Sequence, residues 1–375
     1  QIIMSDIFRI KDKYNIIEKG TLLKIEESKG AALRTEDILF DLQGNKFRVK
    51  EIESPHANGN EILFEELSVG IIVESGNFVH GNILVREKIN VNYLFCNHPL
   101  YIKKVDDDYE EEYLAASENH ECALFSYEDL EAGKLSLYGN EISGLTVYRG
   151  WMMKPELYKE FYNSLEQKNI LLINTPEEYE RYHLIPRWYE DFKGETSKSI
   201  WTEGNNIEDI KQASKELEGA YIVKDYVKSR KHEWHDACFI ENIRDDETSE
   251  RVIENFIERQ GSDLVGGVVL RKFENLRQIG VHEQSGMPLS EEYRVFIYAG
   301  KILIIDGYWK GESELKFSDY EYKWMESIAK RINSNFVTVD LARKENGSLI
   351  IMEFGDGQVS GLQQLNAKDF YDRLR

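Results

Sequence analysis

The rhythm of apolar and polar positions changes near residue 90. Before that point the apolar residues come in short β-rich runs: Phe8-Arg-Ile-Lys11, Gly20-Thr-Leu-Leu-Lys-Ile25, Asp37-Ile-Leu-Phe-Asp-Leu42, Lys46-Phe-Arg-Val-Lys-Glu-Ile52, Val69-Gly-Ile-Ile-Val73 and Asn82-Ile-Leu-Val85. Gly, Asn and charged turns separate them at roughly even spacing, which predicts a small antiparallel barrel. From residue 91 longer elements alternate. Val91-Asn-Tyr-Leu-Phe-Cys96 reads as a buried strand, residues 106–116 as an acidic helix and Glu121-Cys-Ala-Leu-Phe-Ser126 as a second strand. Strand, helix, strand at this spacing predicts a βαβ unit in a parallel sheet. A third strand ends at Arg149, a helix with Pro155 in its first turn covers 155–167, and a strand at 170–174 precedes a helix at 177–183.

The second half holds three apolar strands and a hairpin. Tyr221-Ile-Val delivers Lys224, residues 264–273 are almost wholly apolar, and Glu291-Glu-Tyr-Arg294-Val-Phe-Ile-Tyr runs into a glycine turn at Gly300. Residues 336–343 and 349–358 flank the turn Asn346-Gly347 and predict a hairpin. Period-2 alternation puts Val337, Val339 and Leu341 on one face and Thr338 and Asp340 on the other. Each run carries a carboxylate towards its end, Asp340 and Glu353, and strand pairing would bring the two close together. Hard oxygen ligands so placed suit Mg²⁺ carrying a nucleotide's phosphates, with Asp356 as a third ligand. Ordinary strand-end charges would leave the same pattern.

Composition is that of a globular chain: 375 residues, 41% hydrophobic and 31% charged. No run approaches the ~18–20 apolar residues of a membrane span, and the first residues lack the basic and apolar regions of a signal peptide. The three cysteines, Cys96, Cys122 and Cys238, have no close pairing, so reduced buried thiols and a cytoplasmic location are expected. The formal charge of −21 argues against a general polyanion-binding surface. A phosphate site must therefore be local, and Lys224, Lys228, Arg230 and Lys231 form the densest cationic cluster. Lys224 ends a buried strand, where an ammonium needs an anionic partner such as a phosphate oxygen. The same loop could simply be solvated. The acidic run 106–112 reads as a solvated helix start, since consecutive carboxylates cannot all face one ion. Arg149, at the carboxyl end of a parallel strand, suits an acidic substrate or a structural salt bridge equally.

The order of strand-lysine, basic loop, apolar hinge strand, glutamate-x-arginine strand, strand aspartate and strand glutamate resembles the ATP-grasp superfamily. Tyr148-Arg149-Gly-Trp-Met-Met-Lys154-Pro155, the loop 224–234, Ser285-Gly-Met-Pro288 and Gly355-Asp-Gly-Gln358 are similar to its clade named for two arginines and a lysine. The resemblance covers roughly residues 91–365. It implies an α/β (α+β) ATP-grasp fold behind the barrel, with a barrel at 1–90, an α/β subdomain at 91–193, a covering subdomain at 194–273 and a C-terminal subdomain at 274–375. It also implies ATP and Mg²⁺ as cofactors and activation of a carboxylate as an acyl phosphate that an amine then attacks, most often with a peptide or amino-acid amide as product.

In the roles carried over, Lys224, Lys228, Arg230 and Lys231 hold phosphates, residues Arg271, Lys272 and Phe273 meet the adenine, and Glu274 takes ribose hydroxyls or is a surface charge. Arg294 binds the γ-phosphate and then the acyl phosphate, with Lys228 and Arg149 beside it. Asp340, Glu353 and Asp356 hold the metal, although the superfamily usually has asparagine where Asp356 stands. Trp309, Lys310, Gln358, Ser360 and Gly361 are candidates for the acceptor side. A lysine that the superfamily uses at the junction before the covering subdomain has no clear counterpart among Arg187, Lys193 and Lys198. The barrel phrases Glu18-Lys-Gly20-Thr-Leu-Leu, Phe47-Arg-Val-Lys-Glu-Ile-Glu53 and Gly81-Asn-Ile-Leu-Val85 are similar to the second domain of elongation-factor-Tu-like proteins. That likeness leaves two uses for the barrel, RNA binding with ATP-dependent modification or ligation of an RNA end, or a structural or partner-docking module.

Overall fold

A computed structural model describes residues 7–16, 20–26, 33–53, 68–73, 79–307 and 316–374, and the structural statements below concern those residues. Strands β1 (Ile7–Ile16), β2 (Gly20–Glu26), β3 (Ile38–Asp41), β4 (Lys46–Glu53), β5 (Ser68–Val73) and β6 (Ile83–Val85) close into an antiparallel barrel in the order β1-β2-β5-β4-β3-β6. Its interior is filled by alternate residues of the strands: Phe8 and Ile10, Leu23 and Ile25, Phe47 and Val49, Ile71 and Val73. This is the antiparallel barrel that the spacing predicts. Polar contacts fix it to the rest of the chain. The buried Arg9 guanidinium donates to the carbonyls of Leu172 and Ile173, and the Asn82 side chain donates to Glu178 and Asn333.

The second unit is a five-stranded sheet of β7 (Asn92–Cys96), β8 (Cys122–Phe125), β9 (Leu137–Gly139), β10 (Gly144–Arg149) and β11 (Ile170–Leu172), in the order β11-β10-β7-β8-β9. All neighbours pair in parallel except β9, which is antiparallel to β8. Its helices are α1 (Glu110–Ser117), α2 (Tyr127–Glu131), α3 (Pro155–Glu166) and α4 (Pro176–His183). The start of α4 is set by a capping box between Thr175 and Glu178 with Pro176 in the first turn. The short α5 (Ile185–Trp188) leads on to the next unit.

Two antiparallel sheets follow and face each other. The covering sheet contains β12 (Ser199–Trp201), β13 (Tyr221–Asp225), β14 (Phe239–Ile240) and β15 (Val268–Lys272), in the order β12-β15-β13-β14, with α6 (Ile207–Ser214), α7 (Trp234–Ala237) and α8 (Asp246–Gln260). After a two-stranded ribbon of β16 (Gln278–Val281) and β17 (Pro288–Ser290) comes the floor sheet. It contains β18 (Glu292–Tyr298), β19 (Lys301–Gly307), β20 (Phe336–Arg343) and β21 (Leu349–Asp356), in the order β19-β18-β20-β21, and α9 (Asp319–Arg331) packs on it. Helix α10 (Ala367–Asp372) ends the described chain.

Strands β20 and β21 are the predicted hairpin. Val337, Val339 and Leu341 pack in the core beneath, so Thr338 and Asp340 face the other way, as the alternation requires. The apolar run at 264–273 is a strand only from Val268 to Lys272, because Gly261–Asp263 forms a 3-10 turn before it. Cys96, Cys122 and Cys238 are buried and free. No helix among the described residues is long and apolar enough to cross a membrane.

Candidate active site

A cleft of about 450 Å³ lies between the covering sheet and the floor sheet. Its floor is organised by strand register. In antiparallel strands directly opposite residues share a face, and Arg294 of β18 stands opposite Asp340 of β20, which stands opposite Glu353 of β21. Asp306 of β19 continues the row on the other side of Arg294. A charged line thus crosses the whole sheet. Arg294 grips Asp340 in a two-pronged pair, Nε to Oδ1 at 2.8 Å and Nη2 to Oδ2 at 2.7 Å, and donates through Nη1 to the Gly361 carbonyl at 2.9 Å.

Lys224 reaches this row from above. On β13 Tyr221 and Val223 enter the core of the covering sheet, so Ile222 and Lys224 turn towards the cleft. The Lys224 ammonium, 7% exposed, donates to Glu353 Oε1 at 2.6 Å. Desolvation would raise the Glu353 pKa, but the charges of Lys224, Lys231 and Arg271 outweigh it and hold the carboxyl below its usual range. The basic loop after β13 is folded by a buried carboxylate, Asp225, that lies outside the residues singled out above. Asp225 Oδ1 accepts from the backbone N–H groups of Val227 (2.7 Å) and Lys228 (2.6 Å), while Oδ2 accepts from Gln260 (2.9 Å). The signal for it is short-range turn chemistry, present in Asp225-Tyr-Val-Lys228.

Lys228, Ser229 and Lys231 line the cleft, and Arg230 does not. The Arg230 guanidinium points back to α8, bonding Glu233, the Arg259 carbonyl at 3.1 Å and Gln260 at 3.2 Å. Its phosphate role is therefore withdrawn, because its donors are engaged on the helix side.

At the other end of the cleft Ile222, Trp234, Phe273 and Met287 form an apolar wall, with Phe239 behind Phe273 at 5.0 Å between ring centroids. This wall suits the face of a planar base. The hinge N–H groups are engaged, Lys272 to the Lys198 carbonyl (2.8 Å) and Phe273 to the Ala220 carbonyl (2.9 Å), so they are not free for a base edge. The buried Arg271 guanidinium fastens the two sheets together through Thr196 (2.9 Å), Ser199 (3.1 Å) and the Met352 carbonyl (2.7 Å). Its side chain serves as a tie under the nucleotide wall rather than as a base contact. Glu274 lines the cleft and lies 3.1 Å from Lys344 Nζ.

Three further expectations are corrected. Asp356 is fully buried on the opposite face of β21, accepting from Asn174 Nδ2 (2.6 Å) and from the Gln358 N–H (2.9 Å). Burial pushes its carboxyl up to about 7 despite these bonds. Residues three apart on a strand face opposite ways, so it cannot join Glu353 at a metal. Gly355 is the residue that faces the cleft, and a Cβ there would come within 2.9 Å of both the Thr338 and Ser360 hydroxyl oxygens. Arg149, 1% exposed, is bound bidentately by Glu112 at 2.8 and 2.9 Å and donates to the Ser360 carbonyl at 2.9 Å. It braces the loop after β21 from behind and does not enter the cleft. Gln358 is likewise buried, donating to the Tyr158 hydroxyl at 2.7 Å. Ser360 and Gly361 do line the cleft, whereas Trp309 and Lys310 lie outside the described residues.

The junction contributes an imidazole in place of a lysine. Arg187 pairs with Glu180 (2.6 Å) and Lys193 with Glu190 (3.2 Å), both on the surface, while His183 in the last turn of α4 is 6% exposed and lines the cleft. Burial, reinforced by Lys228 and Lys224 against the opposing pull of Glu353, lowers the His183 pKa to about 4, so the ring is neutral at neutral pH.

No group of three or more His, Cys, Asp or Glu among the described residues could hold a metal unaided. Asp340 and Glu353 nevertheless fit Mg²⁺, which takes one or two protein carboxylates and completes its octahedron with phosphate oxygens and water. The donor set implies a metal that arrives with a nucleotide.

A cleft with a strand lysine above, a carboxylate pair below and an apolar wall at one end, set between two antiparallel sheets, defines an ATP-grasp architecture. Residues 208–374 match the model of family 3 of the ATP-grasp clade named for two arginines and a lysine, and this segment is an ATP-grasp domain of that clade. Among solved structures the chain is similar to the RimK domain protein ATP-grasp from Sphaerobacter thermophilus DSM 20745, with a TM-score of 0.51 and 12% identity over 76% of this chain and 99% of that one. Overlaps with D-alanine-D-alanine ligase from Helicobacter pylori (TM-score 0.48, 10% identity, 76% and 98%) and D-alanyl-alanine synthetase A from Vibrio cholerae O1 biovar eltor (0.47, 12%, 76% and 93%) are weaker. The first of these likenesses establishes the ATP-grasp fold. No curated protein matches the sequence.

Proposed function

We propose that the protein is an ATP- and Mg²⁺-dependent ligase that activates a carboxylate as an acyl phosphate and joins it to an amine, forming a peptide or amino-acid amide. A carboxylate oxygen of the substrate attacks the γ-phosphorus of ATP and ADP leaves. The amine nitrogen then attacks the acyl carbon, expelling inorganic phosphate and losing a proton. Such phosphoryl transfer depends on positioning and charge stabilisation and needs no nucleophilic side chain.

The observation that carries this reading is the convergence of Lys224 from the covering sheet on Asp340 and Glu353 of the floor sheet, in one row with Arg294. Lys224 and Arg294 now neutralise those carboxylates. On nucleotide entry the two cations exchange carboxylate for phosphate oxygens, and the two carboxylates turn to the metal. Bound Mg²⁺ would neutralise charge on the phosphates. Lys228 and Lys231 close the phosphate side, the wall around Phe273 takes the base and Glu274 lies where a ribose hydroxyl could reach it. Arg294, held at the Gly361 end, stabilises the transferred phosphoryl group and the acyl phosphate.

The test is mass spectrometry of a metabolite extract incubated with ATP, Mg²⁺ and either the wild-type chain or Glu353→Gln. New amide products with ADP and phosphate only in the wild-type sample support the reading; AMP and pyrophosphate as by-products, or equal products in both, reject it. The RNA alternative gains no support from the barrel surface, where Lys11 pairs with Glu26 (3.6 Å), Arg48 with Glu36 (3.5 Å) and Arg86 with Asp37 (2.9 Å). These pairs offset the cations that a nucleic-acid backbone would need.

A further inference from the structure

We propose that the cleft's outer lip, built at the carboxyl ends of β7 and β10, binds a peptide substrate bearing basic and aromatic or aliphatic side chains; this deepens, and rests on, the ligase reading. Met152 lines the cleft mouth, and Trp151 beside it is 43% exposed. Tyr109 stands edge-on against Trp151 at 5.5 Å. Two residues before Tyr109, the Asp107 carboxylate lies 3.7 Å from His98, whose ring is 5.0 Å from that of Tyr101, 64% exposed. A continuous side-chain path therefore runs from the nucleotide cleft to the loop after β7, which also exposes Leu100 and Ile102.

Of the eleven large hydrophobic residues exposed among the described residues, five lie on this lip: Leu100, Tyr101, Ile102, Trp151 and Met152. Scattered singly they would need no account, but gathered at the mouth of a reaction cleft they form a binding surface. Extended peptide advances ~3.3–3.6 Å per residue. A lip that runs through Met152, Trp151, Tyr109, His98 and Tyr101 accommodates several residues and exceeds the reach of a free amino acid.

Charge selects the kind of peptide. The segment 106–112 adds exposed Asp107, Asp108, Glu110 and Glu111 next to the aromatic path, and its nearby cations are Lys103 and Lys104, the latter held by Asp107 at 2.6 Å. On a chain of net charge −21 this lip repels acidic segments and attracts cationic ones. The exposed face of Trp151 provides a cation-π seat for an arginine or lysine side chain.

The experiment uses the whole chain with Mg²⁺ and a non-hydrolysable ATP analogue. Two fluorescently labelled short peptides of equal aromatic content, one rich in lysine and arginine and one rich in glutamate, are titrated by anisotropy, and Mg·ADP affinity is measured on the same preparation by calorimetry. The basic peptide should bind at least about tenfold more tightly than the acidic one and weaken with salt. Trp151→Ala, and separately the combination Asp107→Asn, Glu110→Gln and Glu111→Gln, should weaken it about fivefold or more while leaving Mg·ADP affinity unchanged. Equal binding of the two peptides, indifference to the lip substitutions, or no peptide binding by protein that takes up Mg·ADP would overturn the proposal. Failure to take up Mg·ADP would reject the ligase reading itself, and the proposal with it.

Discussion

Lys224 and Glu353, 129 positions apart, meet at 2.6 Å across two sheets that share no hydrogen-bonded strand pair. The contact joins a cation poised for phosphate to a carboxylate poised for metal. Its first consequence concerns nucleotide binding. Lys224→Met should weaken Mg·ADP by at least about tenfold, or about 1.4 kcal/mol, and Glu353→Gln should make ADP affinity the same with Mg²⁺ as with EDTA. Calorimetric titration of both variants decides this; unaltered ADP affinity in Lys224→Met would remove the lysine from the phosphate site.

The wall opposite the charges makes a separable contribution. Phe273→Ala removes one ring of the Trp234, Phe239 and Phe273 cluster. The expected loss is about 1 kcal/mol for ADP and for adenosine alike, since the ring contacts the base. A loss confined to ADP would place Phe273 on the phosphate side and contradict the arrangement.

Arg149 should matter for folding and not for nucleotide. Both Arg149 and Glu112 are buried, and removing one partner strands the other's charge. Arg149→Met is expected to cost about 3–5 kcal/mol in chemical denaturation, with part of the loss recovered by adding Glu112→Leu. Folded Arg149→Met at low temperature should bind Mg·ADP as the wild type does. A large loss of affinity without a loss of stability would restore the substrate role that its position in the sequence suggests.

Two buried groups impose opposite pH dependences. Asp356 has a folded pKa near 7, above its ordinary value of 3.8, so its contribution to stability is complete below about 3.8 and lost as pH rises through about 7. His183 has a folded pKa near 4, below its ordinary 6.5, so its contribution is present above about 6.5 and lost as pH falls through about 4. Urea midpoints between pH 4 and 8 should therefore fall less with rising pH in Asp356→Asn than in wild type, and rise less with pH in His183→Asn. Parallel curves for wild type and variants would show that neither group titrates as its burial demands.

Much of the architecture is legible along the chain because strands and helices carry local signatures. The Asn346-Gly347 turn, the alternation of Val337, Val339 and Leu341, the Pro at the start of α3 and the evenly spaced barrel strands all appear where nearest-neighbour chemistry predicts them. For Asp356 the local information contradicts a metal role: at three residues from Glu353 on one strand it has to face away. Arg149, Arg230 and Gln358 are of another kind. Their partners Glu112, Gln260 and Tyr158 lie 37, 30 and 200 positions away, and no spacing rule distinguishes an arginine spent on a buried pair from one left for a ligand. His183 carries no motif at all, and its place in the cleft follows only from how the last turn of α4 meets β13 and β21.

By itself, the order of residues determined which segments pair or coil and which face of each strand is apolar, because those choices are made by backbone sterics and by the period of burial within a few residues. It also placed Lys224, Arg294, Asp340 and Glu353 on strands of suitable polarity. Only the tertiary structure decided that these four meet while Asp356 and Arg149 turn into the interior, because the energy of a charge depends on what surrounds it in space. Strand register across β18, β20 and β21, and the packing of the covering sheet above them, supply those surroundings.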